Sequence, residues 1–281
     1  MSERLGLSIR HHTGFVYDGV AKASYNEARM TPRSLATQQV QSSKIAVRPV
    51  IPLSTHVDYF GTIVTAFDIQ ETHPQLEVEA VSQVESWAAT LEAPLGWSDL
   101  RSARLVDRFS EFLLPTTRTA LTGSVLDEVG AWQGLADVHQ CVEAAAEFVR
   151  REVSYVPGAT SVSDVAQEAW DRRKGVCQDM THVTIGLLRA MGIPARYVSG
   201  YLYPATEPGV GDVVEGQSHA WVEYYSGSWT GIDPTNGLRE TERHIIVGYG
   251  RDYDDVPPLK GIYQGAESTM LGVVVEIRRT H

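Results

Sequence analysis

Gly175–Pro194 reads GVCQDMTHVTIGLLRAMGIP. Met180, Val183, Thr184, Leu187, Leu188 and Met191 recur three and four residues apart, the spacing that lines one face of an α-helix. Gly192 sits where a helix C-cap needs a left-handed backbone, and Pro194 cannot carry the helix further. Lys174-Gly175 breaks the pattern on the other side, so the helix opens at Cys177.

Downstream the apolar period changes to two. Residues 195–203, 218–225, 229–233, 244–249 and 271–278 read as strands. Upstream, Leu135 to Val153 reads as a helix with Leu135, Val138, Val142, Ala145 and Val149 on one face. Pro157-Gly158 ends it, and Ser161 with Asp164 opens a short helix running to Arg172. Helices first and sheet after is the order of an α+β fold. Earlier still, Leu5, Leu7 and Ile9 alternate, and residues 44–50, 56–69 and 75–84 are rich in Val, Ile, Thr and aromatics, which reads as an antiparallel β domain. A helical stretch at 98–114 and a Pro/Thr-rich joint through Gly123 separate the two parts. The division is therefore 1–118 for the β-rich N-terminal domain and 119–281 for the core.

The 281 residues carry a net charge of -11, with 43% hydrophobic and 21% charged residues, ordinary for a globular chain. That charge repels nucleic acid and anionic membranes and leaves peptides, proteins or small amides as the expected partners. MSERLGLSIRHH has no apolar core of the signal-peptide kind, and no run approaches the length of a membrane span. With two cysteines, Cys141 and Cys177, a disulfide framework is not expected and a reducing, cytoplasmic setting is. The oligomeric state is not written in the sequence.

Cys177 lies where unpaired N–H groups and the positive end of a helix stabilise a thiolate and can receive an oxyanion. His219, in SHAWVEYY, is the best-placed proton acceptor, and Asp233, ending the next strand in SWTGIDPTNG, can orient the imidazole. The two share a face if the connecting loop is Ser226 to Ser228 with Gly227 left-handed; a two-residue loop would put them on opposite faces. Singly, a cysteine at a helix start, a strand histidine and an Asp-Pro turn are each more often structural. Their order along one chain favours nucleophilic catalysis. Cys141 reads as a buried small residue, and His11-His12 as a partly exposed strand pair. A zinc set of Cys177, His182, His219 and Asp233 fits no closed structural spacing, so neither metal nor cofactor is expected.

The segments GVCQDMTHVTIGLLRAMGIPARYVSGYL, SHAWVEYY and SWTGIDPTNG resemble the three motif blocks of the transglutaminase-like superfamily of papain-type folds. Asn26 to Arg29 and the tail GRDYDDVPPLKGIYQG resemble bacterial members with an N-terminal β domain. The resemblance implies a papain-like core of helices packed on an antiparallel sheet. It gives Cys177 the role of nucleophile, His219 that of base and Asp233 that of orienting group, with amides attacked through a thioester. Water then yields a protease or amidase, and an amine a transglutaminase. Gln178 follows the nucleophile where animal transglutaminases have Trp, and no calcium loops or extra barrel domains are visible, so calcium dependence is not carried over. Candidate oxyanion donors are the Cys177 N–H, Tyr155 and Gln178; Trp221 and Tyr201 are candidates for the substrate cleft, and residues 203–217, rich in Pro and Gly, for a specificity loop. A binding module that keeps the fold without catalysis is the alternative from another class.

Overall fold

Residues 4–135, 137–204 and 209–281 are described by a computed structural model, Gln217 by its main chain alone. The first third is all strand: β1 (Leu5–Ala28), β2 (Gln38–Arg48), β3 (Ser54–Val57), β4 (Ile63–Ile69) and β5 (His73–Ser86). β1 is long enough to serve different neighbours at its two ends. Leu5–Val16 pairs antiparallel with Ser86–Gln75 of β5, and Ser24–Ala28 with Ile69–Thr65 of β4. The stretch 56–69 that reads as one strand is two, because Asp58 Oδ1 accepts from the N–H groups of Phe60 (3.0 Å) and Thr62 (2.9 Å) and turns the chain.

The helical stretch that follows is broken into α1 (Trp97–Leu100), α2 (Ala103–Arg108) and α3 (Ser110–Leu113). After α4 (Val129–Trp132) comes α5 (Val138–Glu152), which starts three residues beyond Leu135 because Asp137 caps it, its Oδ1 accepting from Gln140 N at 2.9 Å. Then come β6 (Ser154–Tyr155), α6 (Ala166–Arg172), β7 (Lys174–Gly175) and α7 (Cys177–Ala190). The remainder is strand: β8 (Ala195–Leu202), β9 (Val213–Tyr225), β10 (Trp229–Asp233), β11 (Leu238–Arg239), β12 (His244–Gly250), β13 (Leu259–Gly265) and β14 (Ser268–Arg279). This is an α+β fold. α5 and α7 bury Val142, Ala145, Val183 and Leu187 against Ala195, Tyr197, Ala220 and Val222 of the sheet. The joint between the two parts is pinned by Arg189 of α7, whose buried guanidinium donates to the carbonyls of Leu114 (3.1 Å), Ala195 (2.9 Å) and Arg251 (2.7 Å).

Two strand pairings position the site. β13 and β14 pair with β1, Ala28 opposite Leu259 and Leu7 opposite Arg279, so the chain's last strands extend the N-terminal sheet although the division at 118 groups them with the core. β9 belongs to both sheets: Val213–Gly216 pairs with Arg278–Val275 of β14, and Gln217–Tyr224 with Leu202–Ala195 of β8. Between the sheets Leu7, Ile9 and Ile277 pack on Tyr201, Ile245 and Val247 as one buried cluster. The N-terminal sheet is thereby fixed against the strand that carries His219.

Candidate active site

Cys177 is the first residue of α7 and is half-buried. Its helix start is held by Asp179, whose Oδ2 accepts from Val176 N (2.8 Å) and Thr160 Oγ1 (2.6 Å). Gly175 permits this: a Cβ there would stand 2.7 Å from Asp179 Cβ. The N–H groups of Asp179 and Met180 already reach the Val176 carbonyl (3.0 and 3.1 Å). Those of Cys177 and Gln178 have no partner among the described residues and are available to an oxyanion.

His219 arrives on β9 and Asp233 at the end of β10. Tyr225 pairs with Trp229, which leaves Ser226 to Ser228 as the loop, and Gly227 has φ +112°. That three-residue loop brings both side chains to one face, with His219 Nε2 donating to Asp233 Oδ2 at 2.8 Å. With Nε2 occupied by Asp233, Nδ1 is the ring nitrogen left for Cys177, which lies close enough to help hold the imidazole charged. Burial works against a charged His219, but the hydrogen bond it donates to Asp233 and then the nearby Cys177 sulfur outweigh it and raise the imidazole to about 10.

Asp233 is completely buried, which by itself favours its neutral form; bonds from His219 and then His244 hold it well below the usual carboxylate range instead. Its Oδ2 accepts from Asn236 Nδ2 (2.7 Å) and His244 Nε2 (3.3 Å) besides His219, and its Oδ1 from the N–H groups of Thr235 (2.9 Å) and Asn236 (3.1 Å). His244 Nδ1 accepts from Thr241 N at 3.1 Å, so its proton lies on Nε2, toward Asp233. Burial lowers His244 despite that contact. One carboxylate is thus shared by a histidine held charged and a histidine held neutral.

His219, Asp233 and His244 have ligand atoms within 4.8 Å of one another. Yet Asn236 Nδ2 donates into the same point, so a cation there would meet an N–H donor. His182, from the zinc set weighed on the sequence, is elsewhere: its Nε2 accepts from Tyr253 N at 3.2 Å.

Cys177 and His219 line a cleft of about 230 Å³ between the two sheets, with Gln178, Tyr197, Ser199 and Tyr253 from the core and His11, Thr13, Met270 and Val273 from the N-terminal sheet. Wider hollows of about 560 and 550 Å³ flank His73 and Lys260 and contain no cysteine. Family comparison now fits what the geometry has assembled: residues 130–234 match the transglutaminase-like superfamily and residues 7–85 the bacterial transglutaminase-like N-terminal region. An uncharacterised Mycobacterium leprae protein is 44% identical over 279 residues, covering 97% of this chain and 98% of its own.

The chain belongs to the transglutaminase-like superfamily.

A segment of 83 residues is 37% identical to a protein-glutamine gamma-glutamyltransferase of Pseudomonas aeruginosa, over 28% of this chain and 12% of that one. The crystal structure of a candidate cysteine protease from Cytophaga hutchinsonii has the same fold, with a TM-score of 0.78 at 19% identity over 100% of this chain and 92% of that one. Within this transglutaminase-like fold the other residues singled out on the sequence divide. Gln178 lines the cleft, one Nε2 hydrogen spent on the Val162 carbonyl (3.2 Å) and one left. Tyr155, half exposed, stands close enough to Cys177 that the thiol, after burial, helps raise its hydroxyl. Trp221 and Tyr201 do not line the cleft. Trp221 is fully buried behind His219, the ring centroids 6.0 Å apart, its Nε1 donating to Glu240 at 2.7 Å. Tyr201 is buried behind His11. Alternation tells which strand residues share a face, but not that Leu7, Ile9 and Ile277 of the N-terminal sheet cover Tyr201, nor that Leu35, Ile246 and Tyr249 enclose Trp221. Of the proposed specificity loop, residues 205–208 lie outside the described residues.

Sequence reasoning missed His244 and Asn236. The Asp-Pro-Thr-Asn run carried a signal for the latter, since Asp in such a turn accepts from N–H groups two and three residues on. His11 is a correction: it is 1% exposed and lines the cleft, because its face of β1 packs on Tyr201 of β8. His12, facing the other way, is half-buried beside Glu77 at 3.3 Å.

Proposed function

We propose that this protein is a thiol hydrolase of peptide, amide or isopeptide bonds that works through a thioester on Cys177. The observation that carries the reading is the convergence of Cys177, His219 and Asp233, from a helix start and two adjacent strands, at a cleft with two free main-chain N–H groups. Cys177 Sγ adds to the carbonyl carbon while the oxygen takes the charge toward those N–H groups. His219 then gives its Nδ1 proton to the departing nitrogen as the C–N bond breaks, leaving the acyl group on sulfur. Water attacks the thioester, its proton passes to His219, and the sulfur departs. Asp233 keeps the imidazole oriented throughout.

Replacing water with an amine gives acyl transfer by the same steps, and the relationship to a named glutamyltransferase supports that as the second reading. Both are tested together. The natural chain and its Cys177→Ala variant are incubated with peptide, carboxamide and isopeptide panels, with and without a fluorescent primary amine, and products are read by mass spectrometry. Turnover and a thioester on Cys177 are expected in the natural chain alone. Amine incorporation at the expense of hydrolysis would favour the transferase. Retained turnover in Cys177→Ala would overturn both, and a Cys177 no more reactive toward iodoacetamide than Cys141 would leave a binding module. Cys141 sets the unreactive floor: it is fully buried, its thiol donates to the Trp132 carbonyl at 2.8 Å, and burial, then Asp137, push it up.

A further inference from the structure

Two residues of the cleft wall each bury a polar atom that has no partner among the described residues. His11 and Thr13 alternate along β1 and so share a face; each is 1% exposed, and both line the cleft that holds Cys177 and His219. His11 Nε2 and Thr13 Oγ1 have no hydrogen-bond partner among the described residues.

The protonation of His11 follows from its other nitrogen. Nδ1 is 3.0 Å from the Tyr201 hydroxyl, which donates its single proton to the Met30 carbonyl at 3.2 Å. Both contacts are hydrogen bonds only if Nδ1 carries the ring proton and gives it to Tyr201. Nε2 is then a bare acceptor. Burial, then the neighbouring His12, lowers His11 to about 4, so near neutral pH the ring is uncharged and Nε2 stays an acceptor.

We propose that His11 and Thr13 form a subsite of the acylation cleft that takes an uncharged, N–H-bearing group of the substrate, as a peptide or carboxamide presents, His11 accepting the N–H and Thr13 bonding the group beside it. The proposal rests on the reading of Cys177 as the acylated residue. Among the described residues no Lys, Arg, Asp or Glu lines the cleft, so beyond the Cys177–His219 pair that does the chemistry neither a carboxylate nor an ammonium group finds a counter-charge there. Met270, Val273 and Leu259 supply apolar wall around the two polar atoms. An acceptor left unmet in such a place weakens binding by about tenfold or more, a loss that a substrate N–H avoids and an N-methyl or ester oxygen does not. The N-terminal sheet would then be part of substrate recognition.

The test uses two small electrophiles, acetamidoacetaldehyde, with an amide N–H beside its carbonyl, and the N-methyl analogue. Each aldehyde's protection of Cys177 against methyl methanethiosulfonate is titrated, and the ratio of half-protecting concentrations is taken within each protein, so that changes in thiol reactivity cancel. In the natural chain the N-methyl compound is weaker by about tenfold or more. In His11→Phe and in the near-isosteric Thr13→Val the ratio falls to within about threefold of unity. No discrimination in the natural chain, or undiminished discrimination in both variants, overturns the subsite. A second arm separates this from failure of the nucleophile. In Cys177→Ala, which cannot form the adduct, the His11 Nε2 resonance shifts on addition of N-acetylglycinamide and not of its fully N-methylated analogue. Failure there overturns the subsite whatever Cys177 does, whereas an unreactive Cys177 with this shift intact overturns only the acylation reading.

Discussion

Replacing Asp233 with Asn tests the site where its parts depend most on one another. Each of the five bonds to that carboxylate comes from a donor: two histidines, the Asn236 amide and two main-chain N–H groups. An amide keeps the shape but must aim its own N–H₂ at one group or the other. Facing the main chain, it breaks the turn's bonds. Facing the histidines, it makes His219 Nε2 an acceptor and moves that ring's proton to Nδ1, the nitrogen that has to receive a proton from Cys177. Burial alone would lower His219, and Asp233 and Cys177 together raise it from 6.5 to about 10, a difference of ~5 kcal/mol between its protonation states. Losing the carboxylate therefore removes most of what keeps the imidazolium in place. An ordinary thiol of pKa about 8.5 is roughly 0.3% ionised at pH 6, so iodoacetamide labelling of Cys177 at that pH should fall about 100-fold in Asp233→Asn.

The sign can be followed across pH. A histidine raised in the fold contributes stability that is complete below 6.5 and is lost as pH climbs through about 10. The natural chain's advantage in labelling is thus largest in acid and closes above about pH 9, where a free thiol ionises unaided. Peptide mass spectrometry separates Cys177 from Cys141 in one sample. Labelling of the variant at pH 6 within threefold of the natural rate would refute the thiolate–imidazolium pair.

His244→Phe removes a donor that stays neutral, so labelling at pH 6 should fall less than tenfold, while the unpartnered Thr241 N–H costs about 1 kcal/mol in urea unfolding; a loss equal to that in Asp233→Asn would make His244 an essential member of the site. His182 is held neutral down to about 3, by burial and then by Arg118, so its contribution is complete above 6.5 and is lost as pH falls below it. His182→Gln, which cannot titrate, should lose about 2 kcal/mol less than the natural chain between pH 7 and pH 5, and equal losses would contradict the assignment. Gly175→Ala puts a Cβ 2.7 Å from Asp179 and should cost about 1–3 kcal/mol while slowing Cys177 labelling; unchanged values of both would show that the cap can shift freely.

What the sequence made legible is what short-range physics decides. The stops of α7 and the loop that brings His219 and Asp233 to one face follow from residues a few positions apart. The second sheet is another matter. β14 reads as a strand from its own alternation, but nothing local says that it pairs with β1, more than two hundred residues away. The N-terminal sheet so assembled packs on β8, where Tyr201 buries His11, and without that long-range contact the sequence left His11-His12 as a partly exposed pair. His244 was hidden for a related reason, since the contact with Asp233 depends on β12 pairing with β8 while Asp233 rides on β10.

The same long-range pairings explain why the site needs the whole chain. Cys177, His219 and Asp233 come from the middle of the sequence, and a fragment spanning the helices and β8 to β12 would contain all three. It would lack β1 and β14, and with them His11, Thr13, Met270 and Val273 on the opposite wall. It would also expose Tyr201, Ile245 and Val247, which in the intact protein pack under Leu7, Ile9 and Ile277. Because β9 is hydrogen bonded to β14 as far as Gly216 and to β8 from Gln217 through His219 and beyond, loss of the N-terminal sheet would free the segment of β9 that leads into the imidazole. The wall that completes the cleft and the support of the strand that carries His219 therefore belong to one sheet, so on the proposed reading substrate recognition and positioning of the base would share it.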